Sequence, residues 1–211
     1  MTPHPKLRIV DHPLVQDKLS RLRDLRSDKP TFRRLLQDVG ALLGYEILRD
    51  LRLQETRIET PVTRLDAPLL EPNQIVLVAV LRAGSGLLDG LLGLVPDAAV
   101  GFVGLRRDEA TLKPDTYYVN LPPTLESRHV ICCDPMLATG GSAARAIELL
   151  KSAGARRITL ACLLAAPEGV AHMASTHPDV TLWTAAIDQH LNAQGYIVPG
   201  LGDAGDRLYG T

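Results

Sequence analysis

The sequence predicts an α/β fold, built on a mostly parallel central sheet with helices on both faces. From residue 74 onward, short apolar runs alternate with glycine-marked turns and helical segments, and this alternation is typical of a parallel sheet covered on both sides. A chain of 211 residues with a hydrophobic fraction of 45% is long enough for one sizeable core. We therefore expect a single domain with appendages.

The N-terminal third is predicted to be helical. Leucines alternate with charged residues between Leu14 and Leu25, and after a start signal at Pro30-Thr31 apolar residues recur at three- and four-residue steps up to Leu48. Such helices are expected to pack on the core or on a partner subunit. The chain then divides into a helical portion over about residues 1–72, a core sheet over 73–184 and a C-terminal hood over 185–211.

Five apolar runs of strand length predict the core sheet. They are residues 75–81, 98–104, 128–133, 158–165 and 180–184. Helical segments lie between most of these runs, at residues 87–94, 142–153 and 168–176. Parallel sheets of this kind bind ligands at the carboxyl ends of their strands, so the loops at those ends are the expected position of a site.

Composition excludes several classes of function. The net charge of −1 provides no basic face for nucleic acid, so any phosphate has to be bound by a few placed groups. No stretch approaches the length of a membrane span, and residues 1–6 lead into no secretory segment, so we expect a cytoplasmic protein. The three cysteines have no CxxC spacing, which favours buried thiols over zinc ligands or disulfides.

The stretch CCDPMLATGGS, residues 132–142, predicts a phosphate-binding loop between a strand and a helix. Small residues from Ala138 to Ser142 let consecutive backbone N–H groups converge, and the N-terminus of the next helix adds a partial positive charge. A Walker A loop is disfavoured because its lysine is absent. A capped helix start with no ligand is the alternative at this point.

Two other strand ends carry arginines. In VAVLRAGSG, residues 78–86, Arg82 could bind a phosphate in a bidentate manner, and the glycines allow close approach of the backbone. The stretch GLRRDEATLKP, residues 104–114, is charged, as expected of a mobile loop that carries an arginine over a site. A solvent-facing turn and a solvated loop are the respective alternatives.

The C-terminal stretch GYIVPGLGDAGDRLYGT, residues 195–211, fails as a dinucleotide-binding fingerprint. Gly200, Gly202 and Gly205 satisfy the GxGxxG spacing, but too little chain follows to complete a βαβ unit. The stretch predicts instead a rigid, irregular loop that reads a flat heterocycle through main-chain groups. Its apolar residues argue against the alternative, a frayed tail.

Taken together, these stretches resemble the uracil phosphoribosyltransferases. Residues 134–142 (DPMLATGGS) resemble that family's phosphoribosyl diphosphate loop, and residues 196–207 (YIVPGLGDAGDR) resemble its uracil-binding segment. The stretches LRAG at 81–84 and RDEATL at 107–112 match two further segments in the expected order. The resemblance covers most of the chain and implies a type I phosphoribosyltransferase fold, with a small hood that includes the C-terminal segment.

The resemblance also implies a reaction and a donor site. Uracil and 5-phospho-α-D-ribose 1-diphosphate (PRPP) would give UMP and diphosphate, with Mg²⁺ as a cofactor held mainly by PRPP near Asp203. The loop from Ala138 to Ser142 would hold the 5′-phosphate, Asp134 would face the ribose hydroxyls, and Arg82 and Arg107 would neutralise the diphosphate. The implied PRPP-binding set is Arg82, Arg107, Asp134, Pro135, Met136, Leu137, Ala138, Thr139, Gly140, Gly141, Ser142 and Asp203, with Arg107, Asp134 and Asp203 catalytic.

The implied uracil-binding set lies in the C-terminal segment and acts largely through the backbone. Its members are Ile197, Gly202, Asp203, Ala204, Gly205, Asp206 and Arg207. Pro135 stands where many related enzymes have a second acid after the first, which favours uracil over a purine. No histidine falls in the four motifs, so no general base is assigned, and the effect of Ser85 is open.

Two alternative functions stay open at this point. One is a regulator of the same fold that binds UMP or PRPP and acts through RNA, although the chain lacks a basic face. The other is transfer to a different base, such as cytosine or a purine. The helical N-terminal portion suggests a homodimer or higher homo-oligomer, and the resemblance adds GTP as a candidate effector.

Overall fold

The computed structural model describes residues 4–107 and 114–211, without the side chains of Arg107 and Pro114. The helices are α1 Pro13–Arg23, α2 Lys29–Ile47, α3 Gly84–Leu92, α4 Gly141–Ser152, α5 Pro167–Thr176 and α6 Ala204–Tyr209. The strands are β1 Leu7–Ile9, β2 Leu53–Glu59, β3 Arg64–Leu70, β4 Ile75–Leu81, β5 Ala99–Arg107, β6 Pro114–Asn120, β7 His129–Cys133, β8 Met136–Leu137, β9 Arg157–Ala165, β10 Thr181–Ile187, β11 His190–Leu191 and β12 Ile197–Val198.

The central sheet has the order β1-β10-β9-β7-β4-β5-β6, and the short strand β8 also pairs with β9. All of these pairs are parallel except β5 with β6. Strand β7 is buried along its whole length, as expected when both faces of a parallel sheet are covered. The predicted α/β fold with a mostly parallel sheet is therefore confirmed.

Two apolar cores lie on opposite faces of this sheet. Along β4, Leu77 and Ala79 pack into the core formed with α1, α2 and α3. Their neighbours Val76 and Val78 pack into the core formed with α4 and α5. Because side chains of a strand alternate between faces, one continuous apolar run serves both cores.

The N-terminal portion is helical only in part, which corrects the prediction for residues 1–72. Strand β1 pairs with β10 at the edge of the sheet, and β2 and β3 form an antiparallel hairpin from Leu53 to Leu70. The hairpin depends on pairing between distant residues, such as Leu53 with Leu70, and apolar spacing along the chain does not detect such pairing. Helix α2 does begin where predicted, capped by the Asp28 side chain, which accepts from the Thr31 N–H at 2.9 Å.

The three cysteines are buried and unpaired, as the sequence predicts. Burial raises the pKa of the Cys162 thiol to about 12, which keeps it protonated at neutral pH. Within the described ranges, no helix combines the length and the apolar character that a membrane crossing requires.

Candidate active site

Three adjoining cavities lie at the carboxyl edge of the parallel strands. The smallest, the cradle, has about 80 Å³ and is lined by Asp134, Met136, Leu137, Ala138, Thr139, Gly140, Ser142 and Ala143. The inner chamber has about 270 Å³ and is lined by Val80, Leu81, Arg82, Ala83, Leu105, Asp134, Met136, Ser142, Asp203 and Gly205. The main cleft has about 390 Å³ and is lined by Met136, Ala138, Thr139, Gly141, Ser142, Gln194, Gly195, Tyr196, Ile197, Gly202, Asp203 and Ala204.

The cradle is a backbone site at the start of α4. Gly140 has a φ of 84°, in the left-handed region that glycine adopts without strain. The N-cap residue Gly140 has no side chain that could cap the helix, and the Gly141 N–H donates to the Thr139 hydroxyl at 3.4 Å. N–H groups at a helix N-terminus favour an anion such as a phosphate, and the sequence predicts such a helix start here.

The start of α5 contacts the loop that forms the cradle. The Ala166 N–H donates to the Leu137 carbonyl at 2.9 Å, and a Cβ added to Gly169 would lie 2.5 Å from the Ala138 carbonyl oxygen. The Glu168 carboxylate accepts from the Leu191 N–H at 3.0 Å, which ties the same helix start to the hood. The start of α5 therefore contacts both the loop before α4 and the hood.

Asp134 connects the cradle and the inner chamber. Its backbone N–H donates to the Ala161 carbonyl at 3.1 Å, so β9 fixes its position. Burial raises the pKa of Asp134 to about 7, although the Met136 N–H, which donates to its carboxylate, lowers it. A carboxyl in this setting gains from a new hydrogen-bond donor, such as a hydroxyl of a bound sugar.

Asp203 stands between the inner chamber and the main cleft. Its carboxylate accepts from the Asp206 N–H at 2.9 Å and so caps α6. The sequence predicts an irregular loop here, whereas residues 204–209 form this short helix. Capping orients the Asp203 side chain at the point where the two cavities meet.

Mg²⁺ fits the chemistry of the inner chamber. Asp134 and Asp203 both line it, and Mg²⁺ in proteins is usually bound by one or two carboxylates together with substrate phosphates and water. The described residues contain no cluster of three or more His, Cys, Asp or Glu that could hold a metal alone. Asp134 and Asp203 are therefore the protein groups that would contact a metal carried in by a phosphate-bearing ligand.

A buried ion pair holds the loop that forms the wall of the main cleft. The guanidinium of Arg23 donates to both carboxylate oxygens of Asp188, at 2.6 and 2.7 Å, and to the Gly200 carbonyl at 2.8 Å. The Gly200 N–H donates back to Asp188 at 2.8 Å. Burial raises the pKa of Asp188, but the bonds from Arg23 and Gly200 outweigh it, so the pKa lies below its ordinary value.

Among the predicted site residues whose side chains the structure describes, most line one of the three cavities, but three do not. The Arg207 guanidinium lies 4.5 Å from the centroid of the Phe32 ring and donates to the carbonyls of Leu22 and Asp24. These carbonyls lie at the end of α1, where the helix itself supplies no N–H partner. The Arg207 guanidinium therefore does not face the cleft. The Pro135 carbonyl accepts from the N–H groups of Leu163 and Leu164 in β9. The Asp206 carboxylate lies 3.7 Å from the Arg82 Nη2.

Other residues were predicted incompletely. Arg107 ends β5, but its side chain and residues 108–113 of the predicted mobile loop lie outside the described part of the chain. Gln194, Gly195 and Tyr196 line the main cleft and were missed as site residues. The sequence did carry a signal for two of them, because Gly195 begins the C-terminal stretch 195–211 and Tyr196 begins the stretch 196–207 that resembles a uracil-binding segment.

The chain has the fold of the type I phosphoribosyltransferases. Its architecture matches a hypoxanthine phosphoribosyltransferase from Trypanosoma cruzi with a TM-score of 0.51 and 14% identity, over 75% of each chain. A family model for uracil phosphoribosyltransferase matches residues 9–211. The chain therefore belongs to the uracil phosphoribosyltransferase family.

Two relatives show how far this likeness extends. The chain is 54% identical over 205 residues to uracil phosphoribosyltransferase of Paracoccus denitrificans, which covers 97% of both sequences. The AQ2163 protein of Aquifex aeolicus superposes with a TM-score of 0.91 and 37% identity, over 96% of this chain and 97% of that one. Both likenesses therefore extend over nearly the whole chain.

Proposed function

We propose that the chain transfers the phosphoribosyl group of PRPP to uracil and so forms UMP and diphosphate. The observation that carries this function is the sharing of walls among the three cavities. Met136 and Ser142 line all three, and Asp203 lines both the inner chamber and the main cleft. A phosphate, a sugar and a flat base can therefore occupy neighbouring positions.

Each cavity then has a distinct task. The cradle binds the 5′-phosphate through its backbone N–H groups, and Asp134 accepts hydrogen bonds from the ribose hydroxyls. Arg82 and Arg107 neutralise the diphosphate, and Asp203 lies beside the donor. The main cleft holds uracil between Ile197 and residues 202–204. The Arg207 side chain points away from the cleft and binds carbonyls of Leu22 and Asp24, which holds this wall in place.

The chemical demand of the reaction fits these groups. Departure of diphosphate leaves an oxocarbenium-like sugar, so the enzyme has to stabilise the leaving group and hold the base at C1′. Mg²⁺ bound with PRPP supplies positive charge to the diphosphate, and the arginines add to it. The base is oriented by main-chain groups, which distinguish the N3–H of uracil from the unprotonated N3 of cytosine.

The test is UMP formation from radiolabelled uracil and PRPP, with and without Mg²⁺, beside adenine, hypoxanthine and cytosine. Metal-dependent turnover of uracil alone is the expected result. Turnover of another base at a similar rate would reject the assigned acceptor. No turnover by a folded protein that binds PRPP, together with RNA affinity at physiological salt, would support a regulatory function instead.

We further propose a cytoplasmic homodimer or higher homo-oligomer, and GTP as a candidate effector. The hairpin β2-β3 supports association, because Leu53, Leu65, Leu69 and Leu70 are exposed along it and exposed apolar patches are often interfaces. Light scattering tests the oligomeric state, and a monomer at assay concentration would reject it. UMP formation with and without GTP tests the effector.

A further inference from the structure

The guanidinium of Arg82 is surrounded by the last residues of the chain. Its Cζ lies 5.6 Å from the centroid of the Tyr209 ring. Its Nη2 donates to the Thr211 hydroxyl at 3.2 Å and lies 3.7 Å from the Asp206 carboxylate. Because the Arg82 side chain is 53% exposed, these contacts restrict its direction without closing it off from a ligand.

The backbone of Arg82 is held by the same segment. The Ser85 hydroxyl donates to the Arg82 carbonyl at 2.8 Å, and it is also hydrogen bonded to the Tyr209 hydroxyl. The Tyr209 hydroxyl in turn lies 3.4 Å from the Arg82 carbonyl. Ser85, for which the sequence assigns no effect, thus joins the start of α3 to the C-terminal residues.

The C-terminal segment is itself fixed to the body of the protein. The Arg33 guanidinium donates to the Leu208 carbonyl at 2.7 Å. The Leu208 side chain packs against Gly86, because a Cβ added at Gly86 would lie 3.0 Å from the Leu208 Cδ2. Gly210 has a φ of 77° and ends α6 in the left-handed conformation. The position of Tyr209 is therefore set by α2 and α3.

We propose that Tyr209 is a positioning residue that holds Arg82 in the direction needed to bind the diphosphate of PRPP. A free arginine side chain has many rotamers, and restricting it to one rotamer on binding a ligand lowers the affinity through lost entropy. The Tyr209 ring supplies a cation–π surface, and its hydroxyl fixes the adjoining backbone through Ser85. This inference rests on the assignment of Arg82 to the diphosphate.

The experiment compares Tyr209→Ala, Tyr209→Phe and Ser85→Ala by steady-state kinetics with each substrate varied in turn. Loss of the ring is expected to raise KM for PRPP about three- to tenfold, with KM for uracil unchanged within about twofold. Tyr209→Phe keeps the ring, so its KM for PRPP is expected to lie much closer to the wild-type value than that of Tyr209→Ala. Ser85→Ala should resemble Tyr209→Phe, because both lose the same hydroxyl contact.

Tyr45→Ala is the matched control. Tyr45 is an exposed tyrosine on α2 with the guanidinium of Arg49 5.7 Å from its ring centroid, so it repeats the stacked pair away from the site. Its removal is expected to leave both KM values unchanged. Equal changes in the two KM values for Tyr209→Ala would indicate a general structural effect and would overturn the proposal.

A double-mutant cycle separates this inference from the assignment on which it rests. Arg82→Ala is expected to raise KM for PRPP strongly, and adding Tyr209→Ala to it should then have no further effect. If Arg82→Ala alone left KM for PRPP unchanged, the diphosphate assignment would be wrong and the proposal would fall with it. If the two effects were independent, Tyr209 would not act through Arg82.

Discussion

Gly169 is the residue whose substitution tests most directly how the phosphate loop is positioned. It lies in α5, outside all three cavities, and a Cβ there would be 2.5 Å from the Ala138 carbonyl oxygen and 2.7 Å from that of Leu137. Real Cβ contacts are essentially never under 3.0 Å. In Gly169→Ala, the loop therefore has to withdraw by about 0.5 Å or more.

This displacement moves the loop to which we assign the 5′-phosphate. Misplacement of a binding group by about 1 Å can reduce a rate about 100-fold, so a shift of half that size or more is expected to reduce kcat/KM for PRPP about 10- to 100-fold. This range corresponds to about 1.4–2.7 kcal/mol of transition-state stabilisation. Overpacking should also lower the free energy of unfolding by about 1–3 kcal/mol.

The assay is UMP formation with PRPP varied, combined with urea unfolding to confirm that the variant is folded. Gly93→Ala is the matched control, because an added Cβ at this position would be 3.5 Å from the nearest atom, an ordinary contact. The control is expected to keep wild-type kinetics. Wild-type kcat/KM for PRPP in folded Gly169→Ala would refute the idea that α5 fixes the loop.

Three further predictions concern single carboxylates. The raised pKa of Asp134, about 7 against an ordinary 3.8, means that the folded state binds the proton more tightly, so this group lowers stability as the pH rises from about 4 to 7. In thermal unfolding, the Tm of Asp134→Asn minus the Tm of the wild type should increase between pH 4 and pH 8. A Tm difference that stays the same over this range would contradict the raised pKa. Asp188→Asn removes the charge of a side chain that is 5% exposed and replaces one of its two acceptor oxygens with an amide donor that faces Arg23 or the Gly200 N–H. It should cost about 3 kcal/mol in urea unfolding and raise KM for uracil more than KM for PRPP. Asp17→Asn, in an exposed pair with Arg21, should do neither. Asp203→Asn can still cap α6, so it should lower kcat about tenfold or more with little change in Tm, and unchanged kcat over an Mg²⁺ titration would remove Asp203 from the catalytic set.

Local sequence was sufficient to predict the strands β4, β5, β7, β9 and β10 of the sheet and the loop of small residues before α4. The buried strands are continuous apolar runs, and the loop consists of small residues between one such run and a helix. Both features depend on neighbours in the chain, so they can be read without a structure. The hairpin from Leu53 to Leu70 was not predicted, because its pairing joins residues far apart in sequence.

Sequence by itself determined the α/β fold, the resemblance and the stretches that form the site. Tertiary structure decided the direction of the side chains within those stretches. Arg207 belongs to the stretch that resembles a uracil-binding segment, but its guanidinium turns inward to carbonyls at the end of α1. The Arg82 guanidinium lies against Tyr209 and Thr211. The physical reason is that a guanidinium follows the acceptors and rings that the fold places around it, and these come from distant parts of the chain.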